Sequence, residues 1–255
     1  DPWFSPTRES IARPCKSQHH ALTMGIDLRG SFDEYWQSRS KKLASNLRRY
    51  RSRVEQAGLE PRMLIFEAPH EMADAVARYG RLESAGWKAQ QGTAVSEDNA
   101  QGAFYRELLE SFAATGQATV YEYWIGDRLA ASRLTIRNDK MLIMLKTAFD
   151  ESMSEFAAGR LLLHEVIREA FRVLPGGRIE FYTHATVDQL AWATDRRHID
   201  HFTLYANQGV ELLAQVRELV QTAIHRSPGD APESDSVVGH GRMIPVRGRR
   251  RKGPV

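Results

Sequence analysis

The stretch Thr119–Phe171, TVYEYWIGDRLAASRLTIRNDKMLIMLKTAFDESMSEFAAGRLLLHEVIREAF, decides the fold. Thr119–Ile125 carries the strand formers Val120, Tyr121, Tyr123 and Trp124, and Gly126-Asp127 follows as a turn pair. Arg128–Ile136 reads as a second strand, turned back at Asn138-Asp139. Lys140–Ala148 is nearly all apolar, the pattern of a strand central to its sheet and covered on both faces. Beyond the turn its one charged residue is Lys146. After the aperiodic connection Asp150–Ala158, apolar residues recur at Leu163, Val166, Ile167, Ala170, Phe171 and Leu174, which is one face of a helix.

The junction into that helix carries the first chemical clue. A helix that starts from Phe156-Ala157-Ala158-Gly159 leaves backbone N–H groups and a positive dipole end uncovered, an arrangement suited to an anion such as a pyrophosphate. Gly159 permits close approach of a ligand to the backbone, and Arg160 adds a fixed positive charge at the rim. The same segment also fits a helix start that holds only water.

Downstream, Pro175-Gly176-Gly177 is a hard stop. Arg178–His184 is predicted as a strand with Ile179, Phe181 and Thr183 on one face and Glu180, Tyr182 and His184 on the other. A short helix Asp188–Thr194 capped by Asp188, a strand His201–Tyr205 and a helix Gln208–Ala223 follow, the last with Val210, Leu213, Val216, Val220 and Ile224 inward. Upstream, one helix is predicted over Ser31–Ala57, a strand over Arg62–Phe66, a helix over Pro69–Ser84 with Met72, Val76 and Tyr79 inward, and a helix over Ala103–Ala113. This order implies an α+β fold: a mixed, mostly antiparallel central sheet flanked by helices, with one βαβ crossover.

The composition narrows the class of protein. A chain of 255 residues with 42% hydrophobic residues has enough apolar surface for a sizeable core. The single cysteine, Cys15, excludes an intramolecular disulfide and a cysteine-based metal cluster, and suits a reducing cytoplasm. His19-His20 lacks a third ligand nearby in sequence, so no metal is expected. No apolar run has the length of a membrane span, and Asp1-Pro2-Trp3-Phe4 lacks the layout of a signal peptide. The absence of an initial methionine reads as either a processed chain or an excised piece of something longer.

The net charge is +3, and residues 226–255 carry seven basic against three acidic side chains, so the body is close to neutral. Such a balance does not describe a nucleic-acid-binding fold. Three segments are expected: an irregular N-terminal stretch over residues 1–30, a folded domain over 31–226 and a disordered basic tail over 227–255. One helix face, with Arg39, Lys41, Lys42, Arg48, Arg49, Arg51 and Arg53, is of one sign and suits the steering of an anionic substrate as well as plain solvation. Glu83, Trp87 and Lys88, followed by Gln90-Gln91-Gly92-Thr93, group a ring, a carboxylate and an amine beside a polar loop, which either shapes a pocket or anchors a core.

The element order, with a nucleotide-binding helix after the core strands, resembles the GNAT acyltransferase fold. The blocks LRRYRSRVEQAG, LESAGWKAQQGTA, FYRELLESFAATG and KTAFDESMSEFAAGRLLLHEVIREAF resemble, over roughly half of the chain, the GNAT-type acetyltransferases linked to bacterial cellulose and exopolysaccharide synthesis. That group is related to the Fem-type aminoacyltransferases. The family's Ser-Pro-Gly before the central helix is here Ala157-Ala158-Gly159, and its later Gly-Tyr-Lys pattern is replaced by His184-Ala185-Thr186-Val187. The lost lysine leaves the identity of the substrate open.

The resemblance implies acyl transfer from acetyl-CoA, without a metal, to an amine or hydroxyl of a small-molecule or polysaccharide-precursor acceptor. It implies donor binding by Lys146, Thr147, Ala158, Gly159, Arg160 and Leu161, and acceptor binding by Trp87, Lys88, Arg48 and Arg49. Glu83 is the expected general base, with His184 and Tyr182 in reserve. Two other readings stand beside it: a Fem-like transferase taking an aminoacyl group from tRNA, and a non-catalytic scaffold of the same shape.

Overall fold

The computed structural model describes residues 11–85, 95–96 and 99–225. In chain order the elements are β1 (Cys15–Asp27), α1 (Phe32–Gln37), α2 (Lys41–Gln56), β2 (Pro61–Phe66), α3 (Pro69–Ser84), α4 (Ala100–Ala113), β3 (Ala118–Ile125), β4 (Arg128–Arg137) and β5 (Met141–Phe149). A 3-10 helix (Glu151–Phe156), α5 (Ala158–Val173), β6 (Arg178–Glu180), α6 (Val187–Leu190), β7 (Asp195–Leu204) and α7 (Gln208–His225) complete them. Of the described residues, 11–12 and those between 16 and 203 form one compact unit, and 13–15 with 204–225 form a second.

The sheet has seven strands in the order β2-β3-β4-β5-β6-β1-β7. The pairs β2–β3, β3–β4, β4–β5 and β1–β6 are antiparallel, whereas β5 and β6, joined through α5, are parallel. A mixed, mostly antiparallel sheet with one βαβ crossover is therefore the fold, as the element order implied. Helices cover both faces. On one side Tyr121, Tyr123 and Ile125 share a core with Leu43 and Leu47 of α2 and with Leu162, Val166 and Ile167 of α5. On the other, Ala118 and Val120 pack with Met72, Val76 and Tyr79 of α3 and Leu109 of α4. The two-residue period of β3 thus serves two cores at once.

Several boundaries differ from the sequence reading. Cys15–Asp27, expected as loop or short extended pieces, is a strand of 13 residues whose half from Ala21 onward is largely buried. Its glycine had suggested a loop, yet Gly25 pairs with Glu180 inside the sheet. The single helix expected over Ser31–Ala57 is two, because Ser31 caps α1 through a reciprocal bond with Glu34 and Ser40 then caps α2 by accepting from the Leu43 amide. Lys140–Ala148 is the central strand, but it is not covered on both faces: burial alternates along β5, and β3 is the strand enclosed throughout. The strand expected to reach His184 keeps ladder partners only to Glu180. The cap of α6 is Thr186 rather than Asp188.

The strand expected from His201 already begins at Asp195. Its early residues are charged and were hidden from a reading based on apolar alternation. Arg197 donates to both oxygens of the fully buried Glu180 at 2.8 and 2.5 Å, and Arg178 bridges Glu180 and Asp195. In the second unit α7 forms as expected, but Val210, Leu213, Val216 and Val220 on its apolar stripe are 44–71% exposed rather than inward. Helical period determines which residues share a face, not what covers that face.

Candidate functional site

The site begins where two parallel strands part. β5 and β6 pair only through Met141, Leu142 and Ile143 opposite Arg178, Ile179 and Glu180. From Met144 to Phe149, β5 continues with no strand partner on that edge among the described residues, while the segment after β6 turns away at Tyr182, whose φ is +47°. The Ala185 amide then bonds to the Leu22 carbonyl of β1 at 2.8 Å. On its opposite edge β5 stays paired with β4, and the register slips between Leu134 and Thr135 so that Leu145 is an extra residue.

β5 leads into the helix end. Asp150 caps the 3-10 helix by accepting from the Ser152 amide at 2.9 Å, and Arg128 donates to Asp150 at 2.6 Å and to the Ser152 hydroxyl at 2.8 Å. Burial raises the Asp150 carboxyl, but its bonds from Ser152 and the charge of Arg128 outweigh that and hold it below the usual carboxylate range. Ala157 then adopts the left-handed conformation, φ +49°, which redirects the chain into α5. The amides of Arg160 and Leu161 reach the Ala157 carbonyl, which leaves the Ala158 and Gly159 amides without a backbone acceptor.

Beside that helix end lies a cleft of about 470 Å³, lined among others by Tyr50, Arg133, Thr147, Phe149, Gly159 and Trp192. Its floor is held by distant tethers. The Tyr35 hydroxyl donates to the Trp192 carbonyl at 2.8 Å, and Arg39 reaches the carbonyls of Trp192 and Ala193. Gly159 leaves room rather than relieving strain, since a Cβ there would stand 3.6 Å from the Phe149 ring in ordinary contact.

The expected site residues separate into groups. Thr147, Ala158, Gly159 and Arg160 all line the cleft. Arg160 is not a free charge, because it pairs with Asp188 and donates to the Tyr50 hydroxyl at 3.2 Å. Lys146 and Leu161 do not line it: Lys146 lies over the Tyr105 ring at 5.7 Å, and Leu161 is buried in the α5 core. Tyr182 and His184 are exposed and also lie outside the lining. Burial, then the charge of Glu180, raise the Tyr182 phenol. Arg48 and Arg49 are exposed on α2, with Arg49 stacked over Tyr50 at 5.3 Å. Trp87 and Lys88 lie outside the described residues.

Glu83 is buried at 4% exposure on the α3 side of the sheet. It accepts from the Tyr79 hydroxyl at 3.1 Å and from the Val95 amide at 2.8 Å. Burial and the Glu83 charge together push the Tyr79 phenol far above its ordinary value, while Arg133 pulls it the other way. Arg133 is therefore within electrostatic reach of the Tyr79 phenol and also lines the cleft.

Sequence reasoning passed over Arg133, Tyr50 and Trp192 as cleft residues. A signal existed for the first: Arg133 is a lone charge inside LAASRLTI, which otherwise reads as an enclosed strand. For Tyr50 and Trp192 no local signal exists, because α2 and the end of α6 reach the cleft only through the fold.

The model of a family described as "Acetyltransferase (GNAT) domain" matches residues 41–174. No curated protein matches the chain. Among solved structures, a conserved protein of unknown function from Bacteroides thetaiotaomicron superposes with a TM-score of 0.52 at 12% identity, over 76% of this chain and 63% of that one. FemX superposes with a TM-score of 0.51 at 8% identity, over 79% of this chain and 65% of that one. At these identities the likeness is one of fold alone, and the chain spans less than two thirds of the length of either structure.

Proposed function

Since the chain belongs to the acetyltransferase (GNAT) domain family, we propose that it moves an acyl group, acetyl in the first instance, from coenzyme A to an amine or hydroxyl of an acceptor. The observation that carries this reading is the parting of β5 and β6 after Ile143 and Glu180, directly beside the two free amides of α5. Coenzyme A, when bound, supplies the acyl group as a thioester. The residues present suit it: the Ala158 and Gly159 amides are donors for a diphosphate, and the open edge of β5 offers backbone groups to an extended arm. Arg160 adds charge there once it exchanges Asp188 for the ligand.

Glu83 is the proposed proton acceptor, a role that rests on its sequence block; the Tyr79 hydroxyl donates to it, and neither residue lines the cleft. In that role the acceptor's N–H or O–H proton passes to the carboxylate as the new acyl bond forms and the thioester C–S bond breaks, and the same proton is returned to the leaving sulfur, so that coenzyme A departs as the thiol and the carboxylate is restored. The tRNA-dependent reading draws on the basic face of α2. There Arg39, Arg51 and Arg53 are bonded to protein acceptors, which leaves Lys41, Lys42, Arg48 and Arg49 outward. This favours the coenzyme A reading. Neither the family description nor the two solved structures mention a polysaccharide, so the exopolysaccharide setting rests on the sequence blocks alone.

Thermal denaturation tests the proposal. Acetyl-CoA at about 100 times its Kd contributes roughly 2.7 kcal/mol and raises Tm by about 5–10 °C. Gly159→Trp abolishes that shift, and an unmoved Tm with both CoA and acetyl-CoA refutes donor binding. Glu83→Gln is expected to lower thiol release on the order of 10²–10⁴-fold while the acetyl-CoA shift persists. Unchanged turnover in that variant would leave Glu83 a structural role, accepting from Tyr79 and Val95.

A further inference from the structure

Arg133 is 7% exposed, and among the described residues no hydrogen bond or ion pair engages its guanidinium. Its Nε is fully enclosed without a partner, whereas the two Nη nitrogens are not among the enclosed unpaired atoms. Arg133 lines the cleft opposite Thr147 in the β4–β5 register. Both carboxylates of the cleft are already occupied, Asp150 by Arg128 and Asp188 by Arg160. One buried positive charge is left over at the wall of a cavity large enough for part of a ligand.

An uncompensated buried charge is costly, and proteins pair such groups or neutralise them. Neutralisation is not the outcome here. Burial draws the guanidinium down only to about 10, so it stays protonated at neutral pH. A structural arginine would be expected to show a carboxylate or a set of carbonyls around its planar fork, as Arg197 does with Glu180.

We infer that Arg133 is a ligand-binding residue, its guanidinium kept for the paired oxygens of an anionic group, a carboxylate or a phosphoryl group, on a molecule that enters the cleft. This rests on the cleft being the ligand site of the proposed transfer. The anion has two sources: a phosphate of the donor, or a carboxylate on the acceptor.

Calorimetry and thermal denaturation on the full chain separate them. The donor arm compares coenzyme A with pantetheine, which lacks the diphosphate. The acceptor arm compares free amino acids, as carboxylate probes, with their amides. Arg133→Met removes the charge at similar volume, and Arg133→Lys keeps the charge without the fork. The expected result is at least tenfold weaker binding of one anionic probe to Arg133→Met, partial recovery in Arg133→Lys, and no change for the neutral counterpart. Loss with coenzyme A assigns the donor phosphate, and loss with an amino acid assigns an acceptor carboxylate.

The ligand-free Arg133→Met protein is expected to melt no lower than the parent, since the charge has no partner to lose. A Tm lower by more than about 10 °C, or equal affinity of parent and Arg133→Met for every anionic probe, overturns the inference. Donor binding by the parent that is insensitive to Arg133 would leave the transferase reading intact, and a parent that ignores coenzyme A but binds a carboxylate through Arg133 would sink the transferase reading alone.

Discussion

Two nearby positions show how differently small residues act at the helix end. Ala157 carries a side chain in the left-handed region, at an intrinsic cost of about 1–2 kcal/mol, while Gly159 has ordinary helical backbone and no steric need to be glycine. Exchanging the two residue types is expected to stabilise the free protein in both cases, for different reasons. Ala157→Gly relieves strain and raises stability by roughly 0.5–1 kcal/mol, with the entropy of the unfolded chain offsetting the rest. Gly159→Ala also raises the stability of the free protein, by up to about 1 kcal/mol, and under the proposed docking at the Ala158 and Gly159 amides its methyl group is expected to weaken coenzyme A binding. Denaturant unfolding and calorimetry read the two effects separately. A Gly159→Ala protein that binds coenzyme A as tightly as the parent would show that no ligand comes close to that backbone.

At the level of elements, the short β6 and the unexpected β1 have a common cause. Residue alternation continues past Glu180, but Tyr182 turns to positive φ and the ladder ends. Alternation describes which face a side chain takes, whereas a ladder needs a neighbour at hydrogen-bonding distance. β1 was hidden because residues 1–30 carry prolines and glycines with little periodicity, whereas the missing side chain of Gly25 is what admits a buried ion network. A Cβ on Gly25 would stand 2.7 Å from Asp195 Oδ1 and 3.2 Å from the Ile179 carbonyl oxygen. Gly25→Ala is therefore expected to destabilise by about 1–3 kcal/mol, measured as a lower denaturation midpoint with unchanged slope. A midpoint equal to that of the parent would mean that the Arg178–Asp195 pair shifts without cost.

Across the whole molecule, the sheet faces bury phenols from both sides. Tyr35, Tyr79 and Tyr121 are raised by burial, and Tyr123 is pushed up to about 12. A group whose folded pKa lies above its unfolded value of about 10 contributes fully below that value, and its contribution is lost as pH rises toward the folded one. Unfolding measured from pH 9 to 12 should show stability falling above about pH 10, by up to about 1.4 kcal/mol per pH unit for each such phenol. A flat profile would mean that these rings ionise in place. What the sequence by itself determined was the family and the identity of the elements from β2 to α7, β1 and the division of the first helix excepted: periods of two and 3.6 residues, turn pairs and the small-residue helix start are local patterns, and local backbone preference is enough to produce them. What only the tertiary structure decided was which of those elements meet. The split between β5 and β6, the tethering of Trp192 by Tyr35 and the isolation of Arg133 each depend on residues far apart in the chain, and their distances are determined by packing rather than by any neighbour in sequence.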